Sequence, residues 1–140
     1  MTIIQIVVSG FVLLELSNVL MLYFAPGSQN ANAVGVFRAW EKSKQDPEIH
    51  DFVRYLVYWV AGTKLIFILL LMAIILFADA ATQRISVLAL VIAILSFYWR
   101  LFPLIRKMDQ SGQIEPKNYS TVLGVMIFVF VILLLIAVMI

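Results

Sequence analysis

The chain has 140 residues, of which 64% are apolar and only 13% are charged, and its net charge is +2. A soluble domain has about half apolar and about a quarter charged residues, so an ordinary soluble globular domain is excluded. The chain has no cysteine, which excludes disulfides, thiolate catalysis and cysteine-ligated metals. The small net charge does not indicate a nucleic-acid partner, and we expect none.

The apolar residues are gathered into four blocks of about 20 residues, the length needed to cross about 30 Å of hydrocarbon. The blocks cover approximately residues 3–24, 54–77, 85–105 and 119–140. We therefore predict an all-α polytopic membrane protein whose partner is the lipid bilayer. Residues 1–140 would form a single four-helix transmembrane domain, with no separate soluble domain.

The first block is predicted to be a retained span rather than a secretory signal. Its start contains no Lys or Arg, and it is longer than the about 7–15 apolar residues of a typical signal. Glu15 lies near its middle, with Asn18 one helical turn further on. Pro26 and Gly27 then predict the end of the helix.

The connection after the first block has apolar residues at helical spacing, with charged residues between them. These apolar residues are Ala33, Val36, Phe37 and Trp40. The pattern predicts a short amphipathic helix in the first cytoplasmic connection, lying in the membrane interface or covering the helix ends. Gly35 disfavours a helix at this point.

The second long helix is predicted to begin with Asp46 as its N-cap and Pro47 at its first position. If it continues to Phe77, it is about 46 Å long at 1.5 Å per residue, and its first turns stand clear of the membrane. His50 lies in these turns and is predicted to be solvated. A lone histidine without cysteine cannot form a zinc or haem site, and we expect no cofactor and no metal.

The third block contains Pro103, which cannot donate a hydrogen bond to the carbonyl of Trp99 and so predicts a bend there. A turn at Gly112 follows, and Pro116 precedes the fourth block. The fourth block contains no ionisable side chain. It is therefore predicted to be a packing or lipid-facing helix.

Basic residues are distributed unequally between the connections. Four spans put the first and third connections on one side, and Arg84 is the only basic residue of the other side. This asymmetry predicts that both long connections are cytoplasmic and both termini outside, in a plasma (inner) membrane. The basic residues of the first side are Arg38, Lys42, Lys44, Arg54, Arg106, Lys107 and Lys117.

Three ionisable side chains fall inside the blocks, namely Glu15, Lys64 and Arg100. Each costs about 2.5–3.5 kcal/mol at the centre of a spanning helix, so each needs a partner or water. Counted from the cytoplasmic ends, Glu15 lies about 14 Å deep, Lys64 about 15 Å and Arg100 about 8 Å. Glu15 and Lys64 are therefore predicted to form an intramembrane ion pair, with Arg100 as a second cation or reaching to the interface.

Small and polar residues near these charges predict a common pocket. Asn18 shares a helix face with Glu15, Thr63 adjoins Lys64, and Ser96 lies on one stripe with Arg100. Such a pocket would bind a proton or a small polar or anionic solute. The alternative is a structural pair that fixes helix register and binds no ligand. The candidate site residues are Glu15, Asn18, Thr63, Lys64, Ser96 and Arg100.

The segment LLELSNVLMLYFAPG, residues 13–27, resembles the first helix of the small multidrug resistance transporters, in which a glutamate exchanges protons for cationic drugs. The likeness covers about one span. Those transporters have shorter cytoplasmic loops and no lysine that matches Lys64. Because a cation at Lys64 would oppose the binding of cationic drugs, the function of that family is not carried over.

Two functions remain open. The first is binding or transport at the polar site, for which a homodimer would be expected to complete a path. The second is a non-catalytic accessory or assembly subunit that packs against a larger membrane complex through the fourth block. An intramembrane enzyme is disfavoured, because the sequence offers no Ser–His pair, metal-ligand cluster or Gly-rich phosphate loop.

Overall fold

The computed structural model describes residues 2–30 and 32–140, so Met1 and Ala31 of the predicted domain lie outside the described residues. The all-helical fold is confirmed for this part of the chain, and four helical segments, residues 3–24, 47–77, 80–110 and 119–139, are long and apolar enough to cross a membrane. The helices are α1 (Ile3–Phe24), α2 (Arg38–Ser43), α3 (Pro47–Phe77), α4 (Ala80–Leu95), α5 (Phe97–Gln110) and α6 (Tyr119–Met139).

The first two long helices begin where the sequence predicts. α1 covers the residues of the first apolar block. α3 begins at Pro47 and runs unbroken to Phe77, and Asp46 is its N-cap. The Asp46 Oδ1 atom accepts from the backbone N–H groups of Glu48 and Ile49 at 3.0 and 3.3 Å, which satisfies two N–H groups that have no partner within the helix.

The third candidate span, residues 80–110, consists of two helices, α4 and α5, which meet at Ser96. The Ser96 hydroxyl donates to the carbonyl oxygen of Ala93 at 2.6 Å, and the Ser96 N–H is shared between the carbonyls of Ile92 and Ala93. Such short-range bonds tighten the last turn of a helix and interrupt it. The interruption therefore lies at Ser96. α5 continues through Pro103, and the bend at Pro103 stays a prediction.

The main apolar core lies at the end of the bundle that carries the two termini. Buried residues recur every three or four positions along each helix, as expected for helices that pack along one face. α1, α3, α4 and α6 all contribute to this core. Its most deeply buried members include Val8, Ile68, Val87 and Leu134.

At the opposite end of the bundle the buried residues divide into two separate clusters. Leu22, Val57 and Ala61 pack between α1 and α3. Val36, Ile105 and Ile114 pack between the two long connections and α5. The helices are therefore held together tightly at one end and in two groups at the other.

Two glutamines bind the end of α3. The Gln5 side-chain amide of α1 donates to the carbonyl oxygen of Ile75 at 3.2 Å. The Gln83 amide of α4 donates to the same oxygen and to the carbonyl of Ala78, both at 3.1 Å. Because the last carbonyls of a helix have no partner within it, these bonds satisfy α3 and join three helices at this end.

The two long connections lie at the same end of the bundle, because they follow the first and third of four alternating long helical segments. Their backbones form an isolated antiparallel bridge between Phe37 and Ile114. The Arg38 N–H donates to the carbonyl of Gln113 at 2.9 Å, and the Arg38 guanidinium donates to the Glu115 carboxylate through Nε at 3.0 Å. The side of a membrane on which this end lies stays a prediction.

A short helix is present within the first connection, and it packs against the start of α3. Trp40 of α2 is buried with its ring centroid 4.8 Å from that of His50. Ser43 Oγ lies 2.8 Å from His50 Nδ1. The prediction that His50 is solvated is therefore wrong, because this histidine is half-buried beneath α2. The relation of α2 to a membrane surface stays a prediction.

α5 and α6 approach each other closely at Gly124. The Tyr98 hydroxyl donates to the carbonyl oxygen of Gly124 at 2.6 Å. A Cβ atom at Gly124 would lie 2.7 Å from Cε2 of Phe102, whose ring packs against those of Phe97 and Tyr98. Glycine is thus the residue that fits this helix contact.

Gly124→Ala is expected to destabilise the protein by about 1–3 kcal/mol, because the Phe102 ring must move to make room. Gly10→Ala in α1 is the matched control, since no atom lies within 4 Å of the added Cβ. Alanine is favoured over glycine inside a helix by about 0.5–1 kcal/mol, so this variant should be unchanged or more stable. Denaturant titration in detergent micelles measures both, and equal effects would contradict the close approach.

Asp79 forms the N-cap of α4 in the short turn that follows α3. Its carboxylate accepts from the Thr82 N–H at 2.9 Å and from the Thr82 hydroxyl at 3.0 Å. These two hydrogen bonds stabilise the ionised form and hold the pKa of the Asp79 carboxyl below its ordinary value. The cap is therefore strongest while Asp79 is charged.

The stabilisation by Asp79 is expected to be complete above about pH 4, the ordinary pKa of Asp, and to be lost as the pH falls through the lower native value. Asp79→Asn keeps a capping oxygen that cannot titrate. The difference in Tm between the wild type and Asp79→Asn should therefore shrink as the pH is lowered from about 7 to about 2. A difference that does not depend on pH would contradict this role of the carboxylate.

Candidate functional site

The central polar contact of the protein joins α1 to α3. The Lys64 ammonium donates to Oε2 of Glu15 at 2.7 Å and to Oδ1 of Asn18 at 2.6 Å. The Glu15 and Lys64 side chains are 26% and 33% exposed, and Asn18 is buried. The structure thus brings three of the candidate residues into one cluster, in which the two formal charges cancel.

The helical periodicity explains why these side chains meet. On α1, Glu15 follows the buried Phe11 by four positions and precedes the buried Asn18 by three. On α3, Lys64 follows the buried Ala61 by three positions and precedes the buried Ile68 by four. Each charge therefore lies within the inward-facing row of its own helix.

Small residues allow α1 and α3 to approach each other beside the cluster. Ala61 is fully buried, and a Cβ atom at Gly62 would lie 3.3 Å from the Tyr23 hydroxyl. The rings of Tyr23 and Tyr58 stack with their centroids 6.1 Å apart. These contacts limit the separation of the two helices and keep the Lys64 ammonium within reach of both of its acceptors.

A first cavity, here called the asparagine cavity, adjoins the cluster and has a volume of about 290 Å³. Its polar lining consists of Glu15, Ser17, Asn18 and Asn32, and the rest is apolar and comes from α1, α4 and α6. Asn32 belongs to the first connection and accepts a hydrogen bond from the Tyr119 hydroxyl at 3.0 Å. The first connection therefore covers the polar end of this cavity.

A second cavity, here called the arginine groove, lies between α1 and the α4–α5 junction and has a volume of about 370 Å³. Its polar residues are Glu15, Ser96 and Arg100, and the others are apolar. Both cavities are lined by Phe11, Glu15, Ile94 and Ile127. Glu15 is the ionisable residue that they share.

Arg100 and Ser96 line the same groove as Glu15 but do not join its ion pair. The Arg100 guanidinium lies over the Trp99 ring, 5.2 Å from the centroid, and makes no salt bridge to any carboxylate of residues 2–30 and 32–140. The Ser96 hydroxyl donates to the carbonyl oxygen of Ala93 in the preceding turn. Arg100 is therefore a cation that faces the groove without a carboxylate partner.

Thr63 does not belong to the cluster, although its sequence position predicted this. Its side chain is exposed, and its hydroxyl donates to the carbonyl oxygen of Trp59 at 2.9 Å. Successive residues of an α-helix point about 100° apart, so a neighbour of Lys64 must face another direction. Thr63 lies on the outer surface of α3.

Sequence reasoning missed Asn32 and Tyr119 as lining and covering groups. Asn32 has a backbone φ of 55°, in the left-handed region that asparagine tolerates better than most residues. The sequence indicates at most a turn at Asn32, and it carries no signal that this turn folds back over the cavity. No group of three or more metal-ligating side chains occurs among the described residues.

Lys64→Met is expected to destabilise the protein by about 3 kcal/mol, because the Glu15 carboxylate loses its counter-charge. We take the lower end of the range for buried pairs because both side chains are partly exposed. The double variant Glu15→Leu, Lys64→Met should recover most of the loss, since no uncompensated charge remains. Denaturant titration in detergent measures the cycle, and strictly additive effects would contradict direct coupling between the two residues.

Comparison with known proteins gives no functional assignment. No family model, curated protein or solved structure matches the chain. The features of the chain that bear on function are the polar cluster and the two cavities that Glu15 lines.

Proposed function

We propose that this chain is a polytopic integral membrane protein that binds, and passes across the membrane, a proton or a small polar or anionic solute. The length and apolar character of four helices support its insertion in a bilayer. The site comprises Glu15, Asn18, Lys64 and Arg100, with the two cavities that adjoin them. The basic connections face the cytoplasm of a cell bounded by a plasma (inner) membrane.

One observation carries the proposal. Glu15 contacts Lys64 directly and at the same time lines both the asparagine cavity and the arginine groove. An ionisable group inside a membrane is costly and is usually placed where it serves a ligand or a proton. A purely structural pair gains nothing from a position beside two cavities.

The balance of charge favours an anionic solute. Glu15 and Lys64 cancel each other, and Arg100 leaves the region with one net positive charge. In an environment of low dielectric this charge attracts a solute that carries one negative group. The amide of Asn18 and the side chain of Asn32 supply further polar contacts in the adjoining cavity.

The pair also provides a means of coupling an anion to a proton. When the anion accepts hydrogen bonds from the Lys64 ammonium in place of Glu15, the carboxylate loses its counter-charge. A proton carried together with the anion would keep the net charge of the region unchanged. Anion and proton would then be bound together and released together, and a homodimer would complete the path across the bilayer.

Vesicles containing the full chain and the pH-sensitive dye pyranine test this proposal. Proton movement is recorded after a membrane potential is imposed, alone and with a gradient of inorganic phosphate or glutamate. The wild type should acidify the vesicles faster than protein-free vesicles do, or take up labelled phosphate or glutamate. Glu15→Gln and Lys64→Met should lower the rate to about that of protein-free vesicles, because each removes one member of the proposed site.

Glu41→Gln and Lys44→Met are the matched controls, because they change the same residue types in an exposed ion pair of the first connection. Both control variants should retain the wild-type rate. If protons, phosphate and glutamate neither move nor bind, or if movement survives Glu15→Gln and Lys64→Met, the proposal is wrong.

A second candidate is a non-catalytic accessory or assembly subunit of a larger membrane complex. The direct 2.7 Å contact between Lys64 and Glu15 favours it, because no space for a ligand separates the two charged atoms. In that case the pair fixes the register of α1 against α3, and the exposed apolar surface of α6 contacts the complex. A stable, monodisperse particle without a co-purifying partner would contradict this role.

A further inference from the structure

The arginine groove is open at the surface of the bundle. Ala93, Ser96, Arg100 and Leu101 are exposed where α4 and α5 meet, and Trp99 beside them is 73% exposed. If the long helices cross a bilayer, this surface faces lipid. The groove is therefore accessible from the side, by a molecule that is already in the membrane.

The position of Arg100 suits the phosphate of a lipid headgroup. Its guanidinium carbon lies over the Trp99 ring, 5.2 Å from the centroid, a cation–π contact. The N–H donors lie in the plane of the guanidinium. A planar group with such donors binds the oxygens of a phosphate in pairs.

The depth of Arg100 agrees with this role. The sequence puts it about 8 Å from the end of the bundle that carries the basic connections. A long arginine side chain spans such a distance by extending toward the headgroup layer while its stem stays among apolar groups. The apolar lining of the groove, including Phe97, Leu101 and Ile127, then lies where an acyl chain would run.

We infer that the arginine groove binds one anionic phospholipid, with the phosphate at Arg100 and an acyl chain along the apolar wall. An anionic headgroup matches the one cation of the groove that has no carboxylate partner among the described residues. The cytoplasmic leaflet, where this end of the bundle is proposed to lie, is the leaflet rich in such lipids. The inference rests on the proposed function, in which Arg100 attracts one negative group. Here that group is the lipid phosphate, so the solute of that proposal would bind at Lys64 and Asn18 instead.

Native mass spectrometry of the full chain in detergent tests the inference with equal amounts of dioleoyl phosphatidylglycerol and dioleoyl phosphatidylcholine. The wild type should retain one phosphatidylglycerol with a preference of about fivefold, the effect of a single basic residue on an anionic lipid. Arg100→Gln should remove this preference. Ala93→Phe should reduce the retention of both lipids, because it fills the groove without a change of charge.

Arg84→Gln and Arg106→Gln are the controls, since neither residue lines the groove. Arg106 is at the same end of the chain's third span, and Arg84 is at the other end. Both controls should keep the preference, and circular dichroism should show equal helix content in all variants. An equal loss in Arg100→Gln and Arg106→Gln, or no preference in the wild type, would overturn the inference.

The two experiments separate the inference from the proposed function. If phosphatidylglycerol is retained through Arg100 while neither protons nor solutes move in vesicles, the transport proposal alone is wrong. If transport depends on Glu15 and Lys64 while the lipid preference is absent, the lipid inference alone is wrong.

Discussion

The contact of Lys64 with Glu15 and Asn18 is the constraint on which the arrangement of this bundle depends. A lysine and a glutamate on two apolar helices are each costly in a membrane, and the cost falls only when they meet. Their meeting fixes both the rotation and the vertical register of α1 against α3, because each charge lies in an inward-facing row. Small residues on α3 at the same height let the two backbones come close enough for the contact to form.

The other helices pack around this ion pair and leave two cavities beside Glu15. At the end with the termini, a continuous apolar core and two glutamine side chains hold α1, α3 and α4 together. At the opposite end the buried residues separate into two clusters, one between α1 and α3 and one between the long connections and α5. The two cavities adjoin the main apolar core, because Phe11 and Ile94 line both of them. Glu15 lines both cavities as well, and it also contacts its counter-ion Lys64.

Periodicity and depth were sufficient to predict the four long helices, the N-cap Asp46 and the approach of Glu15 to Lys64. These features follow from local rules, because the rise and turn of an α-helix are constant. Thr63 failed as a site residue because adjacency in sequence is not adjacency on a helix face. Asn32 depends on the path of a connection that folds back over the bundle. Tertiary contacts determine that path, and the pattern of a single segment does not reveal it.

The backbone bridge between Phe37 and Ile114 has a consequence for any partner that binds the two long connections. The bridge joins the segment that follows α1 to the segment that precedes α6. Both α1 and α6 line the asparagine cavity. A molecule that binds and displaces either connection would therefore also displace residues that line the cavity, including Asn18 and Asn32. By thermodynamic reciprocity, if that molecule changes the affinity of the cavity for its occupant, the occupant changes the affinity of the connections for that molecule by the same factor. The binding of a partner at the connections and the binding of a molecule in the asparagine cavity would then be thermodynamically coupled.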